Sequence, residues 1–152
     1  MIDTTTNTLA ANIPVDGMPY AVAMGPLGAR LYVANYDTNQ ASVIDTSTNA
    51  VVSTLPAGSG PTGAAVGPID VPLYVTNVDA NSVSVVNPFT RRTITTVSTG
   101  SGPSAIAIAR HGTRGYVASI GDGTVSVMNL LNNTVIATVP TGRGPTAIAV
   151  QP

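Results

Sequence analysis

Few side chains in this protein are equipped for chemistry. Charge is carried by seven Asp and six Arg alone, and the single histidine is accompanied by no cysteine. Asp37-x-Asn39 and Asp79-x-Asn81 look like pieces of a calcium loop. A calcium ion takes about six to eight oxygens, and each loop brings one carboxylate, so Asx-type turn capping is the better explanation. Asp3 and Asp45 recur at a second kind of turn, where the equivalent residues are Asn87 and Asn129. That exchange keeps the hydrogen-bond acceptor and removes the charge, as a structural role allows. His111 occupies a turn position filled elsewhere by Leu27 and Ile69. It reads as a solvated turn residue, and no Ser-His-Asp set can be argued around it. These residues lead us to expect no catalytic group, no metal site and no cofactor.

Other clusters carry weaker signals. Arg91-Arg92 beside Phe89 is the one local concentration of charge and aromatic character. A solvated turn is the simpler reading there, and contact with a partner or anion the sharper one. Tyr32, Tyr74 and Tyr116 share one repeat position and read as core packing with a hydroxyl handle, an aromatic ligand platform being the alternative. Gly100-Ser101-Gly102 lacks the following helix and lysine of a phosphate loop. Asn132-Asn133-Thr134 is a glycosylation sequon, usable only in a secreted protein.

What positions these residues is a repeat. Leu31-Tyr32-Val33-Ala34-Asn35 returns as Leu73-Tyr74-Val75-Thr76-Asn77 and as Gly115-Tyr116-Val117-Ala118-Ser119, always 42 positions on. The copies fall at 1–42, 43–84, 85–126 and 127–152, and together make one domain. Each copy divides into four strand-like runs separated by Gly, Pro, Asn and Asp. In the first run, Val22, Ala64, Ile106 and Ile148 alternate with Ala23, Ala65, Ala107 and Ala149. Small residues on one face let a neighbouring sheet come close, so Leu in place of Ala107 is expected to overpack by about 1–3 kcal/mol. The second run carries the tyrosines, the third reads Val-Ser-Val, and the fourth is rich in Thr, as an edge strand should be. Short strands repeating at roughly 40–45 residues are the pattern of a propeller blade.

Composition narrows the function classes. A net charge of −1 gives no electrostatic footprint for nucleic acid. No run approaches the about 18 apolar residues of a membrane helix. A polar surface built mainly of Thr, Ser and Asn suits an extracellular or envelope protein.

Several elements recurring in phase resemble the YVTN-family β-propeller repeat: Leu73-Tyr74-Val75-Thr76-Asn77, Val43-Ile44-Asp45-Thr46 and the Gly-x-Gly-Pro-Thr-x-Ala element from Gly142 to Ala147. The family's usual Ser-Pro-Asp-Gly turn has drifted here to Gly25-Pro26-Leu27-Gly28, Gly67-Pro68-Ile69-Asp70 and Ala109-Arg110-His111-Gly112. The resemblance implies an all-β propeller of four-stranded antiparallel blades, with surface-layer and envelope proteins among its members, and no single chemistry. A non-enzymatic scaffold presenting face loops to a protein or glycan partner is therefore expected. In such propellers the fourth-to-first and second-to-third linkers share one face. Asp16, Met18, Tyr36, Asp37, Asp79, Asp122 and Arg143 break the repeat or carry charge there and are the contact candidates. The rival is half of a propeller enzyme, lactonase-like or quinoprotein-associated, whose site needs residues absent from this chain.

Blade counting supplies a further expectation. The strands run third and fourth, then three complete sets, then a lone first strand at Thr146 to Val150. Three full blades with partial blades at both ends leave an apolar sheet face open at each end. Such a chain should pair with a second copy or form part of a longer propeller, the latter reading ranking first.

Overall fold

β-Branched residues alternating with small ones, and punctuated by Gly, Pro and Asn, give strands and tight turns. The computed structural model of the protein describes residues 1–151, and the described residues form β-strands without any helix. The first blade holds β3 (Pro19–Met24), β4 (Arg30–Asn35), β5 (Gln40–Asp45) and β6 (Ala50–Pro56). The second holds β7 (Pro61–Val66), β8 (Leu73–Asn77), β9 (Ser82–Asn87) and β10 (Arg92–Ser98). The third holds β11 (Pro103–Ile108), β12 (Arg114–Ser119), β13 (Thr124–Asn129) and β14 (Thr134–Pro140). Ahead of them β1 (Ile2–Asp3) and β2 (Thr8–Leu9) pair by themselves as the outer hairpin of a further blade. Each four-stranded sheet is antiparallel with its strands in chain order. This is the β-propeller blade the repeat predicts, and among the described residues no helix is long and apolar enough to cross a membrane.

The blades share their irregularities as well as their strands. The register of each inner strand slips by one residue, between Pro19 and Ala21, Pro61 and Gly63, and Pro103 and Ala105. The outer pair slips too, leaving Val52, Ile94 and Ile136 without a cross-strand partner. Each slip is a bulge, which bends the strand and re-aims the extra side chain.

Hydrophobic burial lies between blades rather than within them. Tyr32, Ala34, Ala41, Val43 and Leu55 of the first blade pack on Leu73, Val75 and Val86 of the second. Tyr74, Val83, Val85 and Val97 of the second pack on Ile106, Val117, Met128 and Leu130 of the third. The tyrosines at 32 and 74 are therefore core residues, and burial raises both phenol pKa values, whereas Tyr116, expected in the core as well, is only half-buried in the last blade. Each blade gives one face to its predecessor and the other to its successor. Gly63 faces Ala105 so closely that an added Cβ would lie 3.1 Å from the Ala105 Cα.

Two expectations need correction. Thr146 to Val150 forms no strand, because no second strand lies beside it to complete a ladder. The segment still follows the inner-strand path, since the Ser104 hydroxyl donates to the Pro145 carbonyl (3.0 Å) as Thr62 donates to Pro103 (3.0 Å). Ala107 is half-buried, lying on the side of the third blade that no fourth sheet covers, so Leu there meets less resistance than the repeat suggests. The tight contact of that type lies one blade earlier, at Gly63.

Candidate functional site

The two linker classes are hydrogen-bonded to one another, which places them on one face. Tyr36 donates its N–H to the Met18 carbonyl (2.8 Å), Val78 to Gly60 (2.8 Å) and Ile120 to Gly102 (2.9 Å). Asparagine side chains then tie each blade to the next. Asn39 Oδ1 accepts from the Gly60 N–H (3.0 Å) and Asn81 Oδ1 from the Gly102 N–H (2.8 Å). Both asparagines adopt left-handed backbone, with φ of 56° and 50°, and Gly123 takes the same place at 65°. The asparagines of the Asp-x-Asn elements thus act as blade latches, bonding to the next linker rather than capping their own turn as the Asx reading expects.

At the centre of this face the three inner strands enclose an open concavity of about 750 Å³. The bulged inner-strand residues Tyr20, Thr62 and Ser104 stand on its rim, joined by Met18, Tyr36, Val78, Asp79 and Ile120. Thr62 and Ser104 turn their re-aimed hydroxyls to the next blade's carbonyl. Tyr20, occupying the same bulge, reaches over the mouth instead, its ring centroid 6.2 Å from that of Tyr36 with the planes at 37°. The small residues Gly63, Ala64 and Ala105 line the same concavity. The Tyr36 phenol is held above its ordinary pKa, first by the neighbouring Asp79 carboxylate and more weakly by the charge of Asp37. Asp79 itself packs over Gly60, where an added Cβ would fall 2.5 Å from Oδ2.

The seven contact candidates divide. Met18, Tyr36 and Asp79 line the concavity together. Asp122 and Arg143 line a second, separate depression between Ile120 and Gly144. Asp16 and Asp37 are exposed and line neither. Asp16 stands where the later linkers have Gly58, Gly100 and Gly142. Gly58 donates its N–H to Asn77 Oδ1 (2.9 Å), whereas Asn35 Oδ1 in the first blade has no partner. Tyr20 escaped the sequence reading because an aromatic residue beginning a strand resembles core; the available signal was its departure from Thr62, Ser104 and Thr146.

Elsewhere the structure absorbs the remaining motifs. His111 is exposed in its turn, and Thr134 of the exposed sequon bonds back to Asn132 (2.8 Å). Asp45 Oδ1 accepts from the Ser47 N–H (2.8 Å) and the Thr48 N–H (3.2 Å), and Asn87 and Asn129 do the same work in their blades. Arg91 takes the left-handed position that Asn7, Asn49 and Asn133 fill elsewhere. Phe89 is partnered by Arg30 of the preceding blade, whose guanidinium carbon lies 4.5 Å over the ring, rather than by its neighbours Arg91 and Arg92. Among the described residues, no three His, Cys, Asp or Glu side chains gather as a metal ion would need.

A face of looped linkers around a central depression, on blades packed side by side, defines the protein as a β-propeller. No family model matches the chain, and no curated protein sequence matches it. Among solved structures it is similar to a chain of Kuenenia stuttgartiensis hydrazine synthase, with a TM-score of 0.83 and 26% identity. That likeness covers 92% of this chain and 41% of the other, so the protein spans less than half of its structural neighbour's length.

Proposed function

We propose that residues 1–152 form one partial domain of a YVTN-like propeller that works as a non-enzymatic scaffold at the cell surface or in the envelope. Its loop face presents the mouth of the central channel to a protein or glycan partner. The observation that carries this reading is the convergence of repeat-breaking residues at that mouth. Where the second and third blades have Gly60 and Gly102, Thr62 and Ser104, and Val78 and Ile120, the first has Met18, Tyr20 and Tyr36. Packing does not require Tyr20 or Met18, which are 61% and 44% exposed. Large exposed apolar residues clustered on one rigid face mark a contact surface.

Photo-cross-linking in the source cells tests the assignment of faces. A benzophenone residue at position 36 should yield a defined adduct, and the same probe at position 111, in a first-to-second-strand turn, should not. Adducts formed equally or only from position 111 overturn the reading. The similarity to a hydrazine synthase chain favours a second reading, a subunit of an enzyme complex whose chemistry resides in another part of the assembly. An activity of that assembly lost on Asp37→Asn/Asp79→Asn substitution would select this second reading.

A further inference from the structure

We propose that the channel mouth binds an organic cation, an alkylammonium or guanidinium group, against the Tyr20 and Tyr36 rings with its charge beside the Asp79 carboxylate. The inference deepens the assignment of the loop face as the contact surface and rests on it. Tyr20 and Tyr36 form a tilted pair at 6.2 Å, and both line the open concavity. A cation within about 6 Å of a ring centroid is attracted by the negative face of the ring. Met18 adds a polarisable thioether to the same rim.

The charge around the mouth has one sign. Asp79 stands on the rim, Asp37 is close enough to act on Tyr36, and no arginine lines the concavity. Elsewhere the molecule supplies its own cation to an exposed ring, Arg30 over Phe89 at 4.5 Å. The mouth has the rings and the carboxylate of such a site without the cation. The charge inventory argues against an anion. The Thr62 and Ser104 hydroxyls are committed to the Pro103 and Pro145 carbonyls. An anion at this mouth would lie beside the Asp79 carboxylate with no arginine in the lining to offset the repulsion.

The test is a titration of the whole chain with tetramethylammonium, ethylguanidinium and the uncharged isostere tert-butanol. Binding is followed through the Met18 methyl and tyrosine ring resonances. Both cations should shift these signals saturably, and tert-butanol should bind at least about 10-fold more weakly. Tyr20→Thr, at an exposed position, and Tyr36→Val, at a half-buried one, restore second-blade residues, and each should weaken cation binding about 3- to 10-fold, as should Asp79→Asn. An unchanged thermal transition in these variants separates loss of binding from loss of fold. Equal binding of tert-butanol, or cation binding indifferent to all three substitutions, overturns the proposal, as does absence of cation binding. Position-36 cross-links persisting in that last case would leave the contact-face reading standing while this one fell. Capped Gly-Arg-Gly and Gly-Lys-Gly peptides, run beside the free cations, distinguish the source. Tighter peptide binding points to a partner's side chain, and equal binding to a free amine.

Discussion

Asp45 and its relatives show how far single residues explain themselves. The Asp45 carboxylate accepts from Ser47 through both hydroxyl and N–H, which holds its pKa below the ordinary 3.8. A depressed carboxylate stabilises its turn above the unfolded-state pKa, and this stabilisation fades as pH falls through the folded value. The Ser47 and Thr48 amide resonances should therefore move as the pH drops below about 4. In Asp45→Asn protein, which carries the acceptor of Asn87 and Asn129, that acid-side movement should vanish while the turn remains. Turn roles of this kind were legible because Asp and Asn alternate at one repeat position. Arg91 was not, since an arginine gives no hint that its backbone sits at φ 57° in an asparagine's place. Tyr20 was hidden for a different reason. Its meaning depends on a bulge, and a bulge is a property of two paired strands rather than of one residue.

At the scale of the element, strand alternation was enough to find every blade strand, and the misses fall where pairing decides. Thr146 to Val150 has the pattern of an inner strand and lacks the neighbour that would make it one. The outer-strand bulges at Val52, Ile94 and Ile136 leave large apolar side chains facing solvent, against the in–out rule that the sequence pattern assumes. Bulges at an edge also interrupt the row of free backbone groups that another chain could pair with. Between strands, polar ties do the holding. Asn77 is fully buried, and its amide donates to Ser82 (3.2 Å) and Ser84 (3.0 Å) while its oxygen accepts from the Gly58 N–H. Asn77→Ala removes these bonds and leaves the Gly58 N–H with the Ser84 hydroxyl (3.1 Å), at a cost of about 1–3 kcal/mol, to be read from urea unfolding. Asn35→Ala should cost less, because its oxygen already has no partner and only the Ser42 bond (2.8 Å) is lost.

For the whole molecule, the gradient of burial across equivalent positions is the informative quantity. Leu55 is 1% exposed and Val97 7%, yet Val139 at the same place in the third blade is 47% exposed. At the other end Val22 and Met24 are 64% and 55% exposed, while their counterparts Ala64 and Val66 pack into the first interblade core. Each apolar side chain left open forgoes roughly 1.5–3 kcal/mol of burial. Light scattering should therefore give a mass above the 15.3 kDa of one chain. Val22→Thr/Met24→Thr and Val139→Thr should each bring it down, and a compact monomer in the parent protein would show that these faces need no cover. The repeat period made the incomplete ends visible in advance. Their exposure at particular residues was not, because it depends on which face of a strand looks forward to the next blade and which looks back.

That forward and backward distinction also sets a rule for assembly. The hydroxyl of Thr62 reaches forward to Pro103, and Asn39 and Asn81 reach forward to Gly60 and Gly102; no blade offers the same surface on both sides. Copies that join through their open ends must then do so head to tail, with unlike patches meeting at every seam. If the accumulated rotation about the channel comes to a full circle, the outcome is a closed ring of defined size. If it falls short, growth has no built-in stop and the product is a fibre.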